Sequence, residues 1–158
     1  MSETHEQFMR IALEDAAQSG AEGNRAIGSI IVHNGQVVAR SGGRPGSSEN
    51  PMGHAETLVI QQAAQEIGKA GLAECTLYTT LEPCPMCCGT IIANNVPRVI
   101  VGGRQAGKDR HWGEYAVERL LSLAAWDTDP AHEFVIGVLH DECVAMLHDW
   151  DEKNGYTG

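Results

Sequence analysis

The sequence has few basic residues, few aromatic residues and no long apolar run. Its 11 lysines and arginines stand against 21 aspartates and glutamates, which gives a formal net charge of −10. This balance argues against broad binding to a phosphate backbone, because such binding needs a basic face. One local exception is a basic stretch made of Arg98, Arg104, Lys108 and Arg110. We therefore expect a small uncharged substrate rather than a nucleic acid as the partner.

Segments that would place the chain in or across a membrane are also missing. No run approaches the roughly 18 apolar residues that cross a bilayer, so we expect no membrane partner. The first residues, MSETHEQF, have neither the basic region nor the apolar region of a secretory signal. The sequence therefore predicts a cytoplasmic protein.

Cysteine usage and chain organisation agree with that prediction. The chain has five cysteines, an odd number, and thiols stay reduced in the cytosol, so a disulfide framework is not expected. We find no repeat, low-complexity tract or linker that would divide the chain. A single domain over residues 1–158 is the expectation.

The pattern of apolar residues predicts a helix, a hairpin, and then an alternation of helices and strands. Residues 2–19 have a helical rhythm, and residues 26–42 read as a β-hairpin around Asn34-Gly35. A loop rich in Gly, Pro and Ser follows at 42–51. After it we predict helices at 54–68, 83–95, 114–126 and 142–154, and strands at 75–81, 98–103 and 133–139.

Strands that alternate with helices indicate right-handed crossovers and a parallel sheet covered on both faces. The runs VIV and FVIGVL are typical of strands buried on both sides. The predicted fold class is α/β, a three-layer α/β/α sandwich. Its mixed five-stranded sheet would contain the N-terminal hairpin followed by parallel strands.

Two predicted helix starts carry residues of the types that bind metals. His54 and Glu56 follow the 42–51 loop, and Cys84 and Cys87 follow the strand TLYTTL. In open α/β sheets, ligands bind beyond the carboxyl ends of the strands, where helices begin. Each residue alone has an ordinary reading as core packing, but the joint pattern favours a metal site.

The spacing of these residues suits a catalytic zinc ion. Cys84 and Cys87, three positions apart, share one side of a helix start, and Pro83 is tolerated there because its missing N–H has no partner. With His54 they supply three ligands, which leaves the fourth position for water. Glu56 is close to the ion and free to transfer protons.

These residues carry a family resemblance. H-A-E at 54–56 and P-C-P-M-C at 83–87 resemble the zinc-dependent cytidine deaminase-like superfamily. TLYTTLEPCPMC and GTIIANNVPRVIVGG most resemble its free-nucleobase and tRNA branch: fungal-type cytosine deaminases, guanine deaminases and tRNA adenosine deaminases. The resemblance implies a hydrolytic deaminase that releases ammonia, with zinc bound by the His and two Cys, Glu56 as the catalytic residue, and a homodimer.

For the substrate, we expect a free nucleobase or a related amino-heterocycle, with a cytosine-type base favoured. Guanine or an aminotriazine is one alternative, and adenosine in tRNA is another. Members of this branch carry a base-binding Asn eleven residues before the ligand histidine, and here that position is Gly43. The sequence therefore leaves the identity of the base open.

The predicted substrate contacts are Gly28, Ala55, Trp112, Glu114 and Tyr156. In related free-base deaminases the segment after the fourth strand closes over the substrate, so Trp112 would stack on a base and Glu114 would bond it or relay protons. The alternative is that Trp112 is an ordinary loop residue and Glu114 is an exposed surface charge. Tyr156 lies near the C-terminus, which covers the base in family members.

A non-catalytic alternative is a binding protein stabilised by a structural zinc ion. A structural site needs a fourth protein ligand, and Cys88 is the only nearby candidate in the sequence. Cys88 directly follows Cys87, however, and there a side chain points away from an ion bound by Cys87. We therefore predict that Cys88 packs in the core.

Overall fold

The computed structural model describes residues 3–41, 50–104 and 112–156. Its five α-helices are α1 Glu3–Ala21, α2 Ala55–Ile67, α3 Pro85–Ala93, α4 Val117–Leu123 and α5 His140–Asn154. Its five strands are β1 Ser29–His33, β2 Gln36–Arg40, β3 Cys75–Leu81, β4 Arg98–Gly103 and β5 Glu133–Ile136. Within these ranges, no helix has both the length and the apolar character that a membrane span requires.

The strands form one mixed sheet in the order β2-β1-β3-β4-β5. Strand β1 is antiparallel to both β2 and β3, whereas β3, β4 and β5 are parallel. The β1–β2 turn places Asn34 at φ 51° and Gly35 at φ 74°. Positive φ at both central residues is what a type I′ hairpin turn needs. The predicted mixed sheet with an N-terminal hairpin is confirmed.

Helices cover both faces of this sheet. One core cluster joins α2, α3 and α4 to the sheet through residues such as Val59, Ile91 and Leu121. The other joins α1 and α5 to the opposite face through residues such as Met9 and Cys143. The three-layer α/β/α arrangement predicted from the sequence is therefore confirmed.

The fifth strand differs from the prediction in length and burial. It ends at Ile136, because Gly137 (φ 103°) and Leu139 (φ 52°) turn the chain into α5. Strand β5 lies at the edge of the sheet, and its residues are exposed or only partly buried. Phe134 and Ile136 pack against one core cluster and Val135 against the other, so the strand contacts the core on both sides without being fully buried. The prediction that FVIGVL is a strand buried on both sides is therefore confirmed only for residues 134–136, and only as partial burial.

Two helix boundaries also differ from the prediction. Helix α4 is shorter than 114–126, because Ala125 adopts a left-handed conformation (φ 57°) that ends the helical run. Trp126 instead lies in a short 3₁₀ turn and donates its indole N–H to the Val96 carbonyl at 3.1 Å. Helix α3 begins at Pro85, so Pro85 rather than Pro83 occupies the first position, where a missing N–H costs nothing.

Gly28 joins three elements just before β1. Its N–H donates to the Thr80 hydroxyl at 3.1 Å, and its carbonyl accepts the Thr80 N–H at 3.0 Å. A Cβ at this position would clash with the Ala12 carbonyl oxygen in α1. Only glycine therefore lets α1 approach the strand end this closely.

We expect Gly28→Ala to lower the free energy of unfolding by about 2 kcal/mol or more, because the added methyl group overpacks a backbone contact. Urea denaturation followed by circular dichroism measures this change. Gly89→Ala is the matched control: it lies in α3, a Cβ there meets no atom within 4 Å, and alanine favours a helix by up to about 1 kcal/mol. Equal stabilities of the two variants would contradict this packing argument.

Candidate active site

Two helix N-termini meet at the carboxyl end of β3. His54 is the N-cap of α2 and Cys84 is the N-cap of α3, both with extended backbone angles. Neither side chain makes a capping hydrogen bond, so both are available to another partner. Cys87 lies three residues after Cys84, and the side chains of an N-cap residue and the third helical residue are neighbours.

The three predicted metal ligands come together. His54 Nδ1 lies 3.5 Å from Cys84 Sγ and 3.4 Å from Cys87 Sγ, and the two sulfurs are 3.5 Å apart. Zn–S bonds of about 2.3 Å and a Zn–N bond of about 2.0 Å in a tetrahedron require separations of about 3.5–3.8 Å. The donor atoms therefore fit zinc. His54 and Cys84 are partly exposed, whereas Cys87 is buried, so the group opens towards solvent on one side.

The charges within this group also suit a metal ion. Hydrogen bonds from Cys87 and His54 lower the pKa of Cys84 to about 4, so this sulfur is a thiolate at neutral pH. The Cys84–Cys87 bond raises the pKa of Cys87, and the Cys84–His54 bond raises the pKa of His54. Zinc binds thiolates and neutral imidazole, so it would displace the protons that these two groups retain.

Glu56 lies within the first turn of α2 and is 4% exposed. Its Oε2 atom is 3.5 Å from Cys87 Sγ, so the carboxylate lies beside the donor group without being one of the three. Burial raises its pKa. A carboxyl group with a raised pKa accepts and returns protons closer to neutral pH than an exposed one.

Two buried hydroxyl groups that the sequence reasoning missed support Glu56. Thr79 of β3 donates to Glu56 Oε1 at 3.0 Å, and Ser29 of β1 donates to Thr79 Oγ1 at 2.8 Å. Both are fully buried. The available signal was the adjacent pair Thr79-Thr80 at the end of the predicted buried strand CTLYTTL, because buried hydroxyls need partners.

The segment after the fourth strand is tied to the loop that carries Cys84. Tyr115 donates its hydroxyl to the Pro83 carbonyl at 2.6 Å. The Val117 N–H donates to the Glu82 carboxylate at 3.1 Å, and Arg104 forms an ion pair with the same carboxylate. The start of α4 is therefore fixed against the metal-binding loop.

The predicted substrate contacts are placed in different surroundings. Ala55 is buried beside His54, and both polar backbone groups of Gly28 bond to Thr80. Trp112 is 47% exposed, with its ring edge-to-face against Tyr115.

The last two predicted contacts lie against arginines: Glu114 is exposed and forms an ion pair with Arg119, and the Arg25 guanidinium carbon stacks 4.2 Å from the centroid of the Tyr156 ring. Because no contact with a base tests any of the five, their substrate-binding role stays a prediction. Gly43, where the resemblance expects an asparagine, lies outside the described residues.

The basic stretch predicted as an exception does not form one patch among the described residues. Arg98 lies at the amino end of β4, opposite the metal ligands, where it bonds to the Glu74 carbonyl and to Thr76. Arg104 lies at the carboxyl end and is paired with Glu82 and Glu118. Lys108 and Arg110 lie outside the described residues.

Cys88 packs in the core as predicted. It is fully buried, its sulfur lies 3.9 Å from the Val117 carbonyl oxygen, and burial raises its pKa to about 11. Among the described residues, the metal-binding group contains His54, Cys84 and Cys87 but not Cys88. The structural-zinc alternative, which required Cys88 as a fourth ligand, is therefore wrong.

Comparison with known proteins identifies related sequences and folds. The family model "Cytidine and deoxycytidylate deaminase zinc-binding region" matches residues 2–103, a range that contains all three donors and Glu56. The tRNA-specific adenosine deaminase of Bacillus subtilis (strain 168) is 34% identical over 142 residues, covering 90% of this chain and 85% of the relative.

Two solved structures have a similar fold. One, from a study of A-to-I editing by tRNA:A34 deaminases, has a TM-score of 0.70 and 28% identity, covering 89% of this chain and 99% of that one. The guanine deaminase from Nitrosomonas europaea has a TM-score of 0.75 and 22% identity, covering 93% and 84% respectively. At 22% identity, the similarity to the guanine deaminase shows a common fold and no more.

We expect the purified protein to bind one zinc ion per chain, and Cys87→Ser to lose it, because a hydroxyl is a poor substitute for a thiolate ligand. Zinc content is measured by atomic emission after dialysis. Cys88→Ser is the matched control and should retain zinc, since the Cys88 sulfur lies against the Val117 carbonyl and is not one of the three donors. Loss of zinc from Cys88→Ser with retention by Cys87→Ser would contradict the assignment of ligands.

We expect zinc affinity to weaken as the pH falls from about 8 to about 6, by at least about tenfold per unit, because binding releases protons. The sign follows from the raised pKa values of His54 and Cys87, which keep protons on these groups when zinc is not bound. Competition with a chromogenic chelator in buffers of different pH measures the affinity. An affinity independent of pH over this range would show that the donors are already deprotonated.

Proposed function

Because the chain belongs to the cytidine and deoxycytidylate deaminase zinc-binding family, and is therefore a zinc-dependent deaminase, we propose that it deaminates adenosine in tRNA. The observation that carries this proposal is the 34% identity to a tRNA-specific adenosine deaminase over 90% of the chain. The relative at 28% identity from Haemophilus influenzae, also a tRNA-specific adenosine deaminase, matches 96% of the chain. The sequence patterns alone favoured a cytosine-type free base, so the relatives change the order of the candidates.

The residues of the site divide the work of hydrolysis between them. Zinc held by His54, Cys84 and Cys87 would lower the pKa of water to about 7 and so supply a nucleophile at neutral pH. Glu56, beside the donor group, takes up the proton of the attacking water. It delivers this proton to the ring nitrogen and then moves the remaining proton of that water, from the hydroxyl group now on the ring carbon, to the exocyclic amine. The bond between the ring carbon and the amine then breaks, which yields a carbonyl group and ammonia.

The buried position of Glu56 suits this role. Its carboxylate is 4% exposed and lies among fixed polar groups, so its interactions with a bound base would be screened little by water. Burial raises its pKa, which favours the return of the proton after it has been taken up. The same environment would serve any base that carries an exocyclic amine.

A free nucleobase or amino-heterocycle is the second candidate, and the charge of the chain favours it. The net charge is −10, and several described arginines are already paired with carboxylates, for example Arg25 with Asp151 and Arg104 with Glu82. Binding to tRNA needs cationic groups that are available to phosphates. A free base needs none.

We expect the protein to form inosine in an anticodon stem-loop RNA with adenosine at position 34. The assay pairs detection of inosine with ammonia release from cytosine, guanine, isocytosine and an aminotriazine. Ammonia release from one of these bases without inosine formation would reject the tRNA substrate and support the second candidate. No turnover of any of these substrates would reject both proposals.

Glu56→Gln provides the matched control for the reaction. It keeps the size of the side chain but removes the group that transfers protons, so we expect turnover to fall by at least about 10²-fold. Zinc content should stay at one ion per chain, because Glu56 is not one of the three donors. Unchanged turnover in the zinc-bound variant would exclude Glu56 as the catalytic residue.

The homodimer implied by the family resemblance stays a prediction, because the structure describes one chain. Packing through helices that flank the sheet is the expected arrangement. The exposed Met52 and Met86 lie close to the starts of α2 and α3, so a partner near these helices would cover apolar surface.

A further inference from the structure

We propose that Thr79, oriented by Ser29, is a positioning residue that holds the Glu56 carboxylate in the place from which it transfers protons. The proposal rests on the deaminase chemistry described above and is independent of which base is the substrate. It assigns a role to two hydroxyl groups on neighbouring strands that do not contact the metal donors themselves. Their effect on the reaction would pass through Glu56.

The two oxygens of Glu56 have different neighbours. Oε1 accepts a hydrogen bond from the Thr79 hydroxyl at 3.0 Å, whereas Oε2 lies 3.5 Å from Cys87 Sγ. One oxygen is therefore held by the sheet while the other faces the metal-binding group. A glutamate side chain has three rotatable bonds, and a bond to Oε1 from a fixed strand residue limits the orientations that the carboxylate adopts.

Ser29 directs the hydroxyl of Thr79. That hydroxyl has one proton and two acceptors within reach, Glu56 Oε1 at 3.0 Å and the Leu81 carbonyl at 3.3 Å. Ser29 donates to the Thr79 oxygen at 2.8 Å, which occupies a lone pair and leaves the Thr79 proton for an acceptor. The chain of hydrogen bonds therefore runs in one direction, from Ser29 through Thr79 to Glu56.

The register of the sheet fixes this chain of hydrogen bonds. Ser29 and Thr79 are directly paired across the antiparallel strands β1 and β3. The Ser29 N–H donates to the Ser41 hydroxyl at 3.0 Å, which holds the first residue of β1 from its other side. Because both hydroxyls lie on regular strands, they form a more rigid support than a loop would provide.

Because these residues are buried, leaving any of their polar groups without a hydrogen-bond partner would cost free energy. Ser29 and Thr79 are fully buried and Glu56 is 4% exposed, so a hydroxyl or carboxylate without a partner would lose its hydration without compensation. A purely structural role would account for the hydrogen bonds but not for any effect on turnover. The two roles therefore differ in what a substitution does to kcat when the protein remains folded and zinc-bound.

The test compares Thr79→Val, which removes the hydroxyl at constant volume, with Thr79→Ser, which keeps it. On the substrate that the wild-type protein turns over, A34 stem-loop RNA or a free base, we expect Thr79→Val to lower kcat about 10- to 100-fold with little change in KM. Thr79→Ser should stay close to wild type, and Ser29→Ala should lower kcat by less than Thr79→Val does. Zinc content should be one ion per chain in all variants.

Thr76→Val is the matched control for the loss of a threonine hydroxyl from the same strand. Thr76 lies at the other end of β3, where its hydroxyl accepts a bond from Arg98 at 2.9 Å. We expect this variant to lose stability in urea denaturation while its kcat stays at the wild-type value. A fall in kcat as large as that of Thr79→Val would show that the effect is a general consequence of destabilisation, and would overturn the proposal.

Crystal structures of the zinc-bound proteins supply a readout that does not depend on activity. In Thr79→Val we expect Glu56 Oε1 to leave its position or to occupy alternative conformers, while the separations among His54 Nδ1 and the two sulfurs stay unchanged. A Glu56 carboxylate in the wild-type position would overturn the proposal, and so would an unchanged kcat. If the wild-type protein turned over none of the substrates, the proposed function would fail, and the crystallographic comparison would still test the positioning of Glu56.

Discussion

The site depends on the meeting of two helix N-termini over the end of one buried strand. His54 and Cys84 are separated by 30 residues, yet each lies at the start of a helix, and both helices begin at the same end of the sheet. An N-cap side chain ordinarily bonds to the free N–H groups of its own helix. Here neither side chain does so, and both point their donor atoms at each other and at Cys87. The two helices therefore lack a side-chain capping bond, and the same side chains are placed as metal donors.

The parts of the structure that local patterns determine were predictable from the sequence. Strands β3 and β4 have the predicted bounds and the hairpin turns at Asn34-Gly35, because each of these features depends on residues adjacent in the chain. The three metal ligands also come together as predicted, although His54 and Cys84 are 30 residues apart, because ligands in α/β sheets bind where helices begin beyond the carboxyl ends of strands. Cys88 was assigned to the core from its position next to Cys87 alone. Apart from the metal site, these predictions needed no knowledge of distant contacts.

The parts that depend on distant partners were missed. Strand β5 was expected to be buried because it is apolar, but burial is set by its edge position in the sheet, which no local pattern specifies. The support of Glu56 by Thr79 and Ser29 joins residues 23 to 50 positions apart. Arg98 and Arg104, the two described members of the basic stretch, are likewise close in sequence but lie at opposite ends of β4. The order of substrates changed on evidence from relatives, since composition describes the whole surface and not the site.

Because the zinc ligands come from two helices, α2 and α3, the metal also affects what a melting curve of this protein measures. Zinc at His54, Cys84 and Cys87 would link two helices whose contact is otherwise made by side-chain packing, so the folded chain would bind the ion far better than the unfolded one. Free zinc at 100 times its dissociation constant adds about 2.7 kcal/mol to the free energy of unfolding. A melting temperature is therefore a joint property of the chain and of the free zinc concentration. Variants far from the site are comparable only when the metal is buffered at the same level.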